Sequence, residues 1–177
     1  MPPDMAKHRL GARLIKASVG ASLAVSAWFA RRPRFNAVTS ALMRAMARLA
    51  IRTKGIREAR DAADLGAQWQ RAFPSAKQVP IRRIENDTVY AEIHTPCPLR
   101  GTGDVHACHR MMEFDRAVAS HAGGQFVVLR SQAEPGRTWC EVALRRGGLP
   151  LTDLTPAHER PRPPAQSPAS LPRPASR

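Results

Sequence analysis

The chain has 177 residues, with 28 Lys and Arg against 14 Asp and Glu, a formal net charge of +14, and aromatic residues at only 5%. That length allows one domain with a sizeable core and excludes two ordinary ones once a polar tail is set aside. The scarcity of aromatics means the core is built mainly from Val, Ile, Leu, Met and Ala. The charge is mostly Arg, which makes a polyanionic surface a natural partner, although a general preference for Ala, Arg and Pro explains it equally well. An odd cysteine count, 3 in all, excludes a fully paired disulfide framework and suits reduced thiols in a bacterial-type cytosol.

In chain order, Lys7, Arg9, Arg13 and Lys16 precede an apolar stretch over 17–30, which Arg31, Arg32 and Arg34 close. At about 14 residues it falls short of the roughly 20 needed to span a bilayer, and no clear cleavage site precedes the arginines. The expectation is a helix over 1–32 that packs on the domain or lies on an anionic membrane surface, placing the protein in the cytoplasm or peripheral to the inner membrane. A helical segment follows over 33–77. Phe35, Val38, Leu42, Met46 and Leu49 recur at helical intervals as one apolar face opposite Arg44, Arg48 and Arg52; Gly55 ends that run, and a further helical stretch leads from Ile56 through Trp69 to Phe73. The Arg ladder lacks any zinc-finger, helix-turn-helix or aromatic RNA-binding signature, so nucleic acid is not the expected partner.

After Pro74 the period changes. Strands are expected over 79–84 and 88–94 with a turn at Glu85-Asn86-Asp87, then one helix from an Asp104 cap to about Ala122, stopped by Gly123-Gly124. Two more strands are expected over 125–131 and 138–146 around a turn at Glu134-Pro135-Gly136. The order is helices and then β-β-α-β-β over 78–147, an α+β fold with an antiparallel sheet packed on helices. Residues 148–177, rich in Pro and Arg, read as a disordered tail.

The residues able to carry chemistry cluster in that domain. Cys97 sits between Pro96 and Pro98 beyond a strand end, where a stiff loop holds its thiol in one orientation. Cys108 lies early in the expected helix, a position that favours a thiolate. Met112, Asp115, Ala119 and Ala122 share its face, so a carboxylate falls on an apolar stripe and has to be hydrogen-bonded, paired or abnormally titrating. Alternation places Cys140 inward with Val142 and Leu144, which would let it meet Cys108 if the helix packs on that face. For nucleophilic catalysis, Cys97 or Cys108 is the expected nucleophile, with His94 or His109 as the base and Asp115 as an orienting acid or base. Cys97, Cys108, Cys140, His106 and His109 are ligand types that suit zinc or iron, but their spacing matches no known finger. Gly101-x-Gly103 lacks the Lys-Ser/Thr ending of a phosphate loop.

The run His94-Thr-Pro-Cys97-Pro, the helix carrying Cys108 and Asp115, and the late strand Gly136-Arg-Thr-Trp-Cys140 together resemble the L-2-amino-thiazoline-4-carboxylate hydrolase-like family, with related vinyl-reductase-type ligand-binding domains. The resemblance covers about 70 residues. It implies hydrolysis of a small cyclic thiazoline carboxylate, with Cys97, Cys108, Asp115 and Cys140 at the matching positions. Cys97 and Cys108 stand closer than in the family pattern, and Asp115 follows Cys108 by seven positions where about three is more familiar. The alternative from another class is a non-catalytic sensor or adaptor holding a metal or an apolar ligand between sheet and helix.

Overall fold

A computed structural model describes residues 24–161. Of the helix expected over 1–32, residues 24–30 form α1; residues 1–23 lie outside the described residues. A single 3-10 turn at Pro33–Phe35 follows, with Pro in its first turn, and then α2 (Asn36–Lys54), α3 (Ala62–Arg71), β1 (Ile81–Glu85), β2 (Thr88–Ile93), α4 (Val105–Met111), α5 (Glu113–His121), β3 (Gly124–Arg130) and β4 (Cys140–Arg146). The four strands form one antiparallel sheet in the order β1-β2-β4-β3. The fold is the expected α+β arrangement, N-terminal helices followed by a sheet packed on helices.

Local chemistry explains most element ends. Gly55 caps α2 with a left-handed φ of 58°, where a side chain would be strained. Asp61 accepts from the Asp64 amide and starts α3, so the expected helix over 56–73 begins only at Ala62. Asn86 and Asp87 take φ values of 47° and 59°, the paired left-handed turn that matches hairpin twist between β1 and β2. Asp104 accepts from the Ala107 amide at 2.8 Å, the expected cap.

Three expectations change. The single helix over 104–122 is two, broken at Met112; the freed carbonyl of His109 takes a 2.7 Å hydrogen bond from Arg116 Nη2, which also reaches Glu113 through Nε. The packed face of α2 is Thr39, Met43 and Ala47, while Val38, Leu42 and Leu49 stay exposed. Periodicity shows that an apolar stripe exists, but not which of two adjacent stripes meets the domain. The tail boundary also moves, because residues 148–161 pack on the sheet; residues 162–177 lie outside the described residues.

The main core lies between the sheet and the helices. Trp69 and Leu65 of α3 and Val118 and Ala119 of α5 pack on Val89, Phe126, Val142 and Leu144. Gly66 lets α3 approach closely, since a Cβ there would stand 2.8 Å from Ile81 Cδ1. The reverse face carries a smaller cluster of Val127, Ala143 and Leu154, with Tyr90, Leu129 and Leu151 against it. Arg145 clamps the C-terminal strap there: its Nε donates to Thr88 Oγ1, Nη1 to Pro150 O and Asp153, and Nη2 to Asp153 Oδ2.

Candidate functional site

Cys140 begins β4 opposite Ile93, and the two-residue alternation of the strand turns it into the helical face with Val142 and Leu144. The break at Met112 leaves Cys108 of α4 and Asp115 of α5 both pointing inward, Cys108 in a second small cluster with Leu99, Ala107 and Ala133. Cys108 and Cys140 are both buried and lie near enough for each to shift the ionisation of the other. Cys97, half-buried, packs at the edge of the Cys108 cluster and lies within electrostatic reach of both other sulfurs. A loop, a helix and a strand thus deliver three free thiols to one place.

The donors around them set a direction. Hydrogen bonding with Cys140, reinforced by burial, pushes the Cys108 thiol well up, against a contact from Ser131. The same bond draws Cys140 below its ordinary value, helped by the Gln132 amide at 3.3 Å, so Cys140 is the sulfur best prepared to be a thiolate. Burial pushes Cys97 up, although the Leu99 amide donates to its sulfur at 3.4 Å.

Asp115 lies beneath the pair, near enough for its charge to oppose ionisation of Cys140. Trp69 Nε1 donates to its Oδ1 at 2.9 Å, and no cation forms an ion pair with it among the described residues. Burial outweighs the indole and raises the carboxyl to about 6. The abnormal titration expected of a carboxylate on an apolar stripe is present, for that physical reason.

Gln132 ties the Cys97 loop to the sheet. Its Nε2 donates to Ile93 O at 3.1 Å and Thr95 O at 3.0 Å, its Oε1 accepts twice from Arg100, and its carbonyl accepts from Gly101 N. Thr95 Oγ1, two residues from Cys97, is buried with no hydrogen-bond partner among the described residues. Trp69, Ser131 and Gln132 were not singled out from the sequence. Gln132 lies within the turn that the Glu134 amide closes on Ser131 O, where polar residues are ordinary, and only its buried position reveals its role.

The histidines go elsewhere. His94 would be the catalytic base, but alternation sends it to the sheet face opposite Ile93 and Cys140; there it bonds Glu92 at 2.6 Å and stacks on Trp139 with ring centroids 5.5 Å apart. His106 and His109 gather with His158 of the strap, the His109 and His158 rings lying 3.8 Å apart. Burial lowers His109 to about 4, with Arg116 adding to the effect. Among the described residues no three His, Cys, Asp or Glu side chains are arranged to hold a metal ion, so the zinc or iron candidates Cys97, Cys108, Cys140, His106 and His109 split into a sulfur group and an imidazole group. No described helix is long and apolar enough to cross a membrane.

Compared with protein-family models, curated proteins and solved structures, the chain has no match.

Proposed function

We propose that the sulfur cluster is the working site of a small-molecule hydrolase-like domain of the L-2-amino-thiazoline-4-carboxylate hydrolase type. The observation that carries this reading is the Cys108–Cys140 thiol pair with Cys97 at its edge and a buried acid, Asp115, below it. Cys140, favoured as thiolate, adds across the ring C=N bond of a cyclic thiazoline; the ring carbon–sulfur bond then breaks and frees the substrate thiol, and water displaces Cys140 from that carbon. Asp115, partly protonated near neutrality, is the group suited to give or take the proton that follows. Cys97 stands where a ligand would enter, and the unpartnered Thr95 hydroxyl is available to a polar group on it. Gln132 positions that loop against Cys140.

The resting site is closed, with Cys108 and Cys140 both buried. That burial favours a second reading, a domain that senses or holds a small apolar ligand without turning it over. Incubation of the full chain with 2-amino-thiazoline-4-carboxylate, following release of a free thiol, separates the two. Ring opening that is lost in Cys140→Ser and slowed in Asp115→Asn supports hydrolysis. Intact substrate, together with native thiols that react no faster than free cysteine, sinks it.

A further inference from the structure

The sulfur site leaves unexplained the outer face of the N-terminal helices, whose inner residues Ala27 and Ala30 pack against the Cys108 cluster. Residues 5–57 contain twelve Lys and Arg and no Asp or Glu, so nearly all of the net charge of +14 belongs to one third of the chain. Eight of those basic residues fall within the described part of that segment, from Arg31 to Arg57.

The same segment holds most of the misplaced apolar surface. Of eight large hydrophobic side chains left exposed among the described residues, five lie on α1 and α2: Val25 (54%), Trp28 (50%), Val38 (50%), Leu42 (39%) and Leu49 (64%). On α2 the interval from Val38 to Leu42 to Leu49 keeps these side chains on one stripe, displaced from the packed stripe of Thr39, Met43 and Ala47. Arg48 and Arg52 flank it and form no ion pair among the described residues, whereas Arg44, closer to the domain, is held by Glu113 at 3.0 Å. Where α1 meets α2, Trp28, Phe29 and Phe35 form an aromatic group with ring centroids 5.0 to 6.1 Å apart, and the Arg32 guanidinium lies 3.7 Å over the Trp28 ring.

An exposed apolar stripe costs free energy in water and is uncommon without a partner. A nucleic-acid surface would satisfy the arginines and leave Leu42 and Leu49 wet. An anionic bilayer satisfies both: the apolar side chains enter the acyl boundary, the indole sits at headgroup depth, and the arginines meet lipid phosphates. We propose that the outer face of α1 and α2 docks this protein on an anionic lipid surface, lying along it without crossing it.

The test is flotation of the full chain with vesicles of phosphatidylcholine alone and of phosphatidylcholine mixed equally with phosphatidylglycerol. The wild type should float with the mixed vesicles, bind phosphatidylcholine weakly, and be released by raised salt. Each arginine removed at the surface should weaken binding about fivefold, so Arg48→Gln with Arg52→Gln should cost roughly 25-fold, and Leu42→Ser with Leu49→Ser several-fold more than any change in thermal unfolding explains. These side chains are exposed, so both variants should keep the wild-type Cys97 labelling rate. The proposal is overturned by absence of binding to mixed vesicles, by binding that both variants retain in full, by duplex DNA binding that displaces lipid and survives the Leu changes, or by self-association that buries the stripe before lipid is added.

Discussion

The two faces of the sheet bury an ionisable side chain in opposite ways. On the reverse face all three nitrogens of the Arg145 guanidinium are answered, by Thr88, Pro150 and both oxygens of Asp153. On the helical face Asp115 has one indole donor, no ion-pair partner among the described residues, and a carboxyl raised to about 6. Burial alone therefore marks neither face as functional. A charge whose bonding capacity is filled holds structure together, whereas one left short has a proton to exchange, and it lies beside three sulfurs.

The largest effect expected on this contrast comes from Trp69, which is fully buried and touches both the aromatic core and Asp115. Trp69→Ala should lose about 3–5 kcal/mol in urea denaturation, through the cavity and the lost donor. Trp69→Phe keeps most of the ring and removes only the N–H, and should lose about 1–3 kcal/mol. Equal losses for the two variants would mean that the indole hydrogen bond, and not packing, dominates.

Next in size is Asp115→Asn. The folded carboxyl titrates at about 6 against an ordinary value of 3.8, so the folded chain holds a proton that the unfolded chain gives up between those values. Its favourable contribution is present below the lower value and is lost as pH rises through the upper one. Asn keeps an acceptor for Trp69 without the charge, and should raise stability near pH 7.5 by up to about 3 kcal/mol. His109 works in the other direction over much the same window: lowered to about 4 from 6.5, it contributes above the higher value and loses that contribution as pH falls toward the lower one. Urea midpoints measured across this range should therefore tilt upward with pH in Asp115→Asn and downward in His109→Gln, relative to wild type. Parallel profiles for all three proteins would show that neither group titrates as its surroundings dictate.

The smallest effect is expected on the clamped face. Arg145→Lys retains a charge but loses the planar fork that grips Asp153 and Thr88 together. Limited proteolysis should then cut within 148–161 faster, with little change in thiol labelling at Cys97. Increased labelling of Cys140 in this variant would show that the faces are coupled through β4.

How much of this was legible in the chain depends on the range over which each signal acts. Asp104 capping a helix, Gly55 ending one, a hairpin turn around Asn86 and the inward side of Cys140 follow from residues within a few positions of one another, and the α+β order follows from them. Asp115 was visible as the odd member of an apolar stripe, and its shifted titration follows from the desolvation that such a stripe imposes. Tertiary packing decided the rest. It selected the Thr39–Met43–Ala47 stripe of α2 over its apolar neighbour, laid residues 148–161 across the reverse face, and brought Trp69 under Asp115. It also brought a loop, a helix and a strand together at three sulfurs, with Gln132 holding the loop in place. Each of these depends on how elements remote in the chain cross and fill space against one another, and the periodicity within a single element carries no information about that.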